Sequence, residues 1–356
     1  MKRTEADCII IGAGPAGLKA GTILQSLGYK IFILEKEEQP GGKLLLWNTL
    51  FPHNESAMEI LNPLLKDQKK NLMTSVQIET ITKSPEGFTV ADQNQTIYTS
   101  PALFISTGFK PFNARRKEEY GYGIYDNVIT SVELEDKLKN NNITMTNGKI
   151  PGKVAMIHCV GSRDIKVGSE YCSSVCCITG IKQAMELGKR IPGIQVSCLY
   201  MDLRLNGRFY EDNYKMAQMS HKIQFIRGRL SETNEDVDGS LVIRYEDTLA
   251  GKPAKMTVDM IVLLVGMQLD KSVSRICPLI NEQTGSDGFF GTGKIDFSLN
   301  PQKDGLFFAG ACTGPKNITE SMNEASRVAF EVHHFLKNSL ISENHDRHDR
   351  FRLQNS

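Results

Sequence analysis

Four of the chain's eight cysteines, Cys159, Cys172, Cys176 and Cys177, lie in the stretch Val154 to Lys182, VAMIHCVGSRDIKVGSEYCSSVCCITGIK. Thiols at this density invite three chemical readings. Disulfides are disfavoured, because nothing at the N-terminus reads as a secretory signal and intracellular thiols stay reduced. Zinc fits four thiolates, yet zinc sites usually show two well-separated Cys-x2-Cys pairs. The adjacent Cys176 and Cys177 suit a [4Fe–4S] cube better, because its ligands go to separate irons over a wider span. Spacing therefore favours a cluster over zinc, with plain buried cysteines as the bland alternative.

Two elements would have to position these thiols. Cys159 ends an apolar run, Val154 to Ile157, that predicts a buried strand, and Cys176 and Cys177 open a run, Ile178 to Leu187, that predicts a helix. A strand end and a helix start can converge at one edge of an α/β sheet. Net negative charge placed there gains from the helix N-terminus and its free N–H groups.

A second chemistry is written into residues 6–35, ADCIIIGAGPAGLKAGTILQSLGYKIFILE. Cys8 to Ile11 predicts a strand, and Gly12, Gly14 and Gly17 form G-x-G-x-x-G around Pro15 and Ala16. A helix then runs to Leu27, Gly28 stops it, and Ile31 to Leu34 is a second strand ending at Glu35 and Lys36. Gly12 permits a tight turn, Gly14 lets the backbone approach a pyrophosphate, and Gly17 lets helix and strand pack closely. The phosphates would sit at the helix N-terminus, with Glu35 accepting hydrogen bonds from an adenosine ribose. An acid at that place fits a free 2′-hydroxyl, so FAD or NAD rather than NADP.

Pro40, Gly41, Gly42 and Lys43 resemble the stretch beside the flavin in the flavoproteins with two dinucleotide-binding domains, such as thioredoxin and glutathione reductases. The glutathione-reductase branch places a redox-active cysteine pair shortly after; here LLLWNTLFPH (Leu44 to His53) contains none. Glu59 to Lys70 predicts a helix, and Val76 to Ile81 and Phe88 to Tyr98 predict strands of a small antiparallel layer. LFISTGFKPF (Leu103 to Phe112) matches the second fingerprint of that family, with Thr107 and Gly108 at a sharp turn. Residues 305–329, GLFFAGACTGPKNITESMNEASRVA, match the third: strand Leu306 to Ala309, Gly310, a loop through Gly314, and a helix from about Ile318. The resemblance implies that this strand end approaches the ribityl chain while the helix N-terminus faces the pyrimidine edge of the flavin. Most relatives carry an acid after Gly310; Ala311 here leaves that contact to backbone or another side chain. Lys316 is a candidate to tune the flavin, set against a plain surface lysine.

The second α/β unit opens at Lys153. A pyridine-nucleotide domain would need a glycine triplet after its strand, but His158 to Asp164 contains only Gly161. This domain therefore reads as converted from nucleotide binding to cluster binding. Val196 to Tyr200, Ile223 to Arg229 and Leu241 to Glu246 continue as strands, with Asp202 to His221 a loop leading into a helix. DMIVLLVGMQLD (Asp259 to Asp270) closes the insertion. Arg204, Arg208, Arg227 and Arg229 read as a solvated face, with a docking surface or counter-charges for the cluster as the sharper option. The expected architecture is α/β, with two dinucleotide-binding (Rossmann-like) domains arranged as in thioredoxin reductase. Residues 1–150 and 285–340 would form the FAD-binding domain, 151–284 the inserted unit with the iron–sulfur site, and 341–356 a flexible tail.

Length and charge agree with this. A chain of 356 residues holds two domains with full cores. A net charge of +1, from 42 basic and 41 acidic residues, gives no basic face for nucleic acid or an anionic membrane. No apolar run is long enough for membrane insertion, so the cytoplasm is the expected compartment. Of the other cysteines, Cys8 and Cys198 fall in apolar strands and read as inert, Cys277 falls in a loop, and Cys312, in the flavin loop, reads as buried rather than redox-active.

With these motifs together, the chain is similar to the A-type, flavin-bearing component of heterodisulfide reductase. CVGSRD (Cys159 to Asp164), YCSSVCC (Tyr171 to Cys177), GRFYEDNY (Gly207 to Tyr214), FIRG (Phe225 to Gly228) and GPKN (Gly314 to Asn317) carry the resemblance, which spans about Asp7 to Leu336. It implies that Cys159, Cys172, Cys176 and Cys177 bind a [4Fe–4S] cluster in a protein that also holds FAD. The chain lacks the ferredoxin-like segments of methanogen versions and resembles the short form in sulfur oxidisers. That form implies other heterodisulfide-reductase-like subunits and a lipoate-binding protein as partners, and a homodimer follows the superfamily's habit. The electron path would run between FAD and cluster, and the alternative is a stand-alone NAD(P)H-dependent flavin disulfide reductase of thioredoxin-reductase type.

Overall fold

A computed structural model of the chain describes residues 3–270, 273–280, 284–291 and 304–354. In chain order its main elements are β1 (Cys8–Ile11), α1 (Pro15–Ser26), β2 (Ile31–Leu34), α2 (Ala57–Gln68), β3 (Leu72–Met73) and β4 (Ala102–Ile105). Next come β5 (Val128–Thr130), α3 (Ser131–Lys139), β6 (Lys153–Val160), α4 (Cys176–Arg190), β7 (Gln195–Tyr200), α5 (Tyr210–Met219) and β8 (Gln224–Glu235). The series ends with β9 (Leu241–Asp247), β10 (Lys252–Val258), β11 (Met260–Val265), β12 (Leu306–Phe308) and α6 (Ile318–Gln354).

These elements form two compact units. The first comprises Met1–Leu44, Ile60–Phe109 and Leu269–Ser356; the second comprises Leu45–Glu59 and Lys110–Gln268. In the first unit a five-stranded parallel sheet has the order β12-β4-β1-β2-β3. All four residues of β1 are buried, as a strand covered on both faces requires. The sheet grows from β1 in both directions, β2 on one side and β4 on the other, and the crevice at such a switch point is where α/β sheets bind nucleotides. A four-stranded layer of Arg3–Glu5, Ile97–Ser100, Gly87–Asp92 and Ile78–Ser84 accompanies it. The run expected as one strand from Phe88 to Tyr98 is broken because Asp92 Oδ1 accepts the N–H groups of Asn94 and Thr96, at 2.9 and 2.8 Å.

The second unit holds a seven-stranded sheet of order β5-β11-β6-β7-β8-β9-β10. It is parallel from β5 to β8 and antiparallel from β8 to β10. Its boundaries fall elsewhere than the pattern suggested, at 110 and 268 rather than 151 and 284. Strand β5 pairs with β11, which draws the preceding chain into this unit. Helix α3 starts there with a capping box in which the Thr130 and Glu133 side chains and backbone N–H groups reciprocate.

The stretch expected as a tail from 341 continues in α6 to Gln354. No glycine or proline follows Pro315 to stop the helix. Cys277, expected in a loop, falls in the helix Val273–Ile280, its side chain outside the described residues. Residues 292–303, inside the segment expected to rejoin the flavin domain, also lie outside them.

Candidate flavin and cysteine sites

At the end of β1, Gly12 has φ +103°, and a Cβ there would lie 2.5 Å from the Ser106 carbonyl oxygen. Only glycine fits that turn. A Cβ on Gly17 would sit 2.0 Å from the Gly12 oxygen, so helix and loop touch there. Around Gly14 nothing lies within 4 Å of a built Cβ, which leaves its face open. Pro15 is the first residue of α1, whose N-terminus has no side-chain cap, so its first-turn N–H groups are free to face phosphate. Gly41 N donates to the Ala13 oxygen at 2.8 Å and brings Gly42 against Gly14, with Lys43 next in a 3-10 turn. Glu35 is buried; one oxygen accepts from Ala13 N at 2.7 Å and the other from Glu37 N at 3.0 Å. Lys36 pairs with Asp270 at 3.1 Å.

The second and third fingerprints meet this loop. Ser106 Oγ bonds the Ile11 and Gly12 oxygens, and the next residue, Thr107, holds its hydroxyl buried with no hydrogen-bond partner before Gly108 turns the chain. A Cβ on Gly310 would lie 2.7 Å from that of buried Ala16. Buried Ala311 brings no acid, and Glu324 of α6 supplies one instead. Its carboxylate accepts from Gly310 N at 2.6 Å, from Thr313 Oγ1 at 3.1 Å and from Lys316 Nζ at 2.7 Å. Lys316 is thus half-buried in an ion pair rather than standing alone. Gly314 and Ile318, the first residue of α6, complete this corner. Glu324 lies within the third fingerprint, but fourteen residues after Gly310 and in the second turn of α6, so spacing alone does not single it out. An uncapped helix start, an orphaned hydroxyl and an open glycine face fit a dinucleotide.

In the second unit the Cys176 thiol is within hydrogen-bonding reach of both Cys159 and Cys177. Cys159 lies on a register shift of β6 against β11, between Ile157 and Val160, with φ +61°. That left-handed backbone is strained for a side-chain-bearing residue, and strain of this kind gathers at functional sites. Cys176 and Cys177 begin α4, whose N-cap Val175 offers no side-chain hydrogen bond. Cys172 is half-buried in the loop before the helix, and its Sγ accepts the Ser174 N–H at 3.3 Å. That loop is tied back to the first cysteine's segment by Arg163 N donating to the Tyr171 oxygen at 2.9 Å and by the buried Ser162–Ser173 hydroxyl pair.

Electrostatics distinguish the thiols. Its hydrogen bond with Cys176, and after it the His158 imidazole, pull the Cys177 thiol down to about 4. The hydrogen bond from Cys176 also lowers Cys159, with Arg163 assisting, whereas Cys176 is raised by both neighbours and by burial. Arg163 forms a two-pronged pair with Asp202. Arg163, which also acts on Cys159, is a closer counter-charge than Arg204, Arg208, Arg227 and Arg229, which are exposed, as a solvated face requires. Of those, Arg204 approaches Asp202 at 3.6 Å and Arg229 approaches Asp164 at 3.6 Å, while Arg208 lies over the Phe209 ring and Arg227 binds the Met201 oxygen. Arg163 and His158 flank Cys159 in sequence, a signal that was legible.

Among the described residues no three His, Cys, Asp or Glu side chains are arranged to hold a single metal ion. Three converging thiols, an N–H aimed at the fourth sulfur and an uncapped helix start nevertheless suit a thiolate-bound cluster. A pyrophosphate turn does not fit here, because Gly161, φ +72°, lies against the Phe112 ring, 2.0 Å from a built Cβ. Elsewhere, Cys8 and Cys198 are fully buried with raised thiols, and burial pushes Cys312 up to about 12, as inert cysteines behave.

Residues 6–328 match the pyridine nucleotide-disulphide oxidoreductase family. The chain belongs to that family, and it is an oxidoreductase. It is 28% identical to the A-type component of the H(2)/formate:CoB-CoM heterodisulfide,ferredoxin reductase of Methanococcus maripaludis, over 92% of this chain and 64% of that protein. Identity to the A-type iron-sulfur component of the CoB–CoM heterodisulfide reductase of Methanocaldococcus jannaschii is also 28%, over 93% of this chain and 65% of that protein. The chain therefore spans just under two thirds of the length of these relatives. Among solved structures, T. acidophilum thioredoxin reductase matches with a TM-score of 0.64 at 17% identity, covering 94% of this chain and 99% of that one. Lactococcus lactis thioredoxin reductase gives 0.64 at 18% identity, with the same coverage. The fold is that of the thioredoxin-reductase-like flavoproteins and supports FAD as a cofactor. No helix among the described residues is long and apolar enough to cross a membrane.

Proposed function

We propose that this chain is the FAD- and [4Fe–4S]-containing electron-transfer subunit of a heterodisulfide-reductase-like complex acting on disulfide or sulfane sulfur in sulfur oxidation. The observation that carries this reading is the meeting of Cys159, Cys176 and Cys177 at the uncapped start of α4. A flavin exchanges electrons in pairs or singly, and an iron–sulfur cluster exchanges them singly. Cys159, Cys172, Cys176 and Cys177 would hold the cluster. Arg163 balances their charge, and the α4 N-terminus favours it. In the first unit, Gly12, Gly14, Pro15, Ala16 and Gly17 bind the pyrophosphate and Glu35 the ribose. Gly42, Lys43, Thr107, Gly108, Gly310, Ala311, Gly314, Lys316 and Ile318 line the rest. With no cysteine pair in Leu44 to His53, sulfur chemistry falls to partners, which we take to be other subunits of such a complex and a lipoate-binding protein. A homodimer in the cytoplasm is the proposed working form.

The test is anoxic purification followed by measurement of iron, sulfide, zinc and flavin per chain. About four irons and one FAD, with broad absorbance near ~400 nm that bleaches on reduction, is the expected result. Zinc, or flavin without iron, would overturn the electron relay and favour a flavin enzyme with structural thiols.

A further inference from the structure

We propose that His158 donates a hydrogen bond to a sulfur of the cysteine site and so raises the reduction potential there. This rests on the iron–sulfur reading above. His158 lies within the register shift near the end of β6, adjoining Cys159, and it is 7% exposed. Neither ring nitrogen meets a partner at full hydrogen-bond geometry within the fold, and the polar group it acts on is the Cys177 thiol. A neutral imidazole carries one donor and one acceptor, and leaving both unmet in a protein interior is costly. A ring left short of full hydrogen bonds beside Cys177 points to a sulfur of this site as its acceptor.

The ring is packed closely on one side. Gly180, in the second turn of α4, admits it: a Cβ there would lie 2.9 Å from His158 Cε1, 3.0 Å from Nε2 and 2.3 Å from Leu264 Cδ1. The imidazole thus packs against the helix that begins with Cys176, where Leu264 of β11 also meets Gly180, and it acts on Cys177. A cavity of about 10 Å³, room for one water, is lined in part by His158, Cys159, Asp164 and Arg229. Lys117 and Arg229 already engage Asp164, and Asp202 engages Arg163, so these charged neighbours do not compete for the ring. One nitrogen can then meet water while the other meets sulfur. An N–H held against a cluster sulfur stabilises the more negative, reduced state.

The test uses the anoxically purified full chain as wild type, His158→Leu and His158→Gln. Iron content and the midpoint potential of the cluster would be followed by visible and electron paramagnetic resonance titration. The Leu variant, which lacks a donor, should keep its iron and shift to lower potential, and the Gln variant should return towards wild type. An iron-loaded Leu variant with unchanged potential overturns the proposal. A second measurement needs no variant: reduced wild-type protein with 15N-histidine should show weak nitrogen coupling to the cluster spin. Absence of that coupling overturns the proposal as well. Wild-type protein without iron would instead overturn the reading on which it rests.

Discussion

The Glu324 carboxylate accepts the backbone N–H of Gly310 at 2.6 Å. An acid is thus returned to the flavin loop from the second turn of α6, where the position following Gly310 is alanine. Because the same carboxylate holds Lys316 and Thr313, it organises the whole corner. Glu324→Ala should weaken FAD retention by roughly ten- to a hundredfold, from ~1.5–3 kcal/mol for a hydrogen bond to a charged group. Glu324→Gln should lose less. Flavin released on dialysis is the measurement, and full retention in the Ala variant would contradict the assignment.

Cys176→Ala should remove iron while leaving FAD bound, because α4 and the Gly12–Gly17 loop belong to different units. Flavin loss in proportion to iron would argue against two separate sites.

Thr107→Val should lower FAD affinity without lowering the stability of flavin-free protein, since the hydroxyl has no partner within the chain to lose. A thermal melt of the flavin-free variant, set beside a flavin titration, separates the two effects. Destabilised flavin-free protein would show that the hydroxyl serves the fold.

A buried charge cluster anchors the 45–59 segment. Glu135 is fully buried, accepts from Lys182 Nζ, Asn48 N and Gln183 Nε2, and Lys182 Nζ also donates to the Thr49 oxygen at 2.7 Å. Glu135→Ala would leave Lys182 charged and buried, and should cost about 3–5 kcal/mol in urea unfolding. The double change Glu135→Leu and Lys182→Met should cost less than the single one.

Acid should act through Asp164. Burial alone would raise this carboxyl, but its hydrogen bond and charge contact with Lys117 outweigh that and hold it below the usual carboxylate range. Its contribution is therefore present above the ordinary carboxylate value and is lost as pH falls through the lowered one. For Lys117, burial pulls down but the bonds to Glu119 and Asp164 raise it. Its contribution is full below the ordinary lysine range and fades as pH rises through the raised value. Asp164→Asn should flatten the acid limb of stability against pH and leave the neutral plateau lower. An unchanged acid limb would remove Asp164 from the account.

Local rules made the flavin-type half of the site readable. The β1 strand, the glycine turn and the start of α1 follow from four apolar residues, a φ above zero and a proline at the first helical position. The strand leading to Cys159 and the helix opening with Cys176 were legible for the same reason. Partnership across distance was hidden. Short β5 carries little pattern of its own and is strand because β11 lies beside it, and that moved the boundary from 151 to 110. The register shift that turns Cys159 inward depends on the neighbouring strand, and Glu324 reaches Gly310 only once α6 is in place.

The 45–59 segment also bears on any attempt to exchange these modules between proteins. A graft cut at 110 and 268 would carry Glu135, Lys182 and Glu186 but leave behind the backbone and hydroxyl of Thr49 that they bind. Lysine and glutamate would then be stranded in an opened interior. The cysteine module is interleaved with its host, and a transplant must carry both of its inserts.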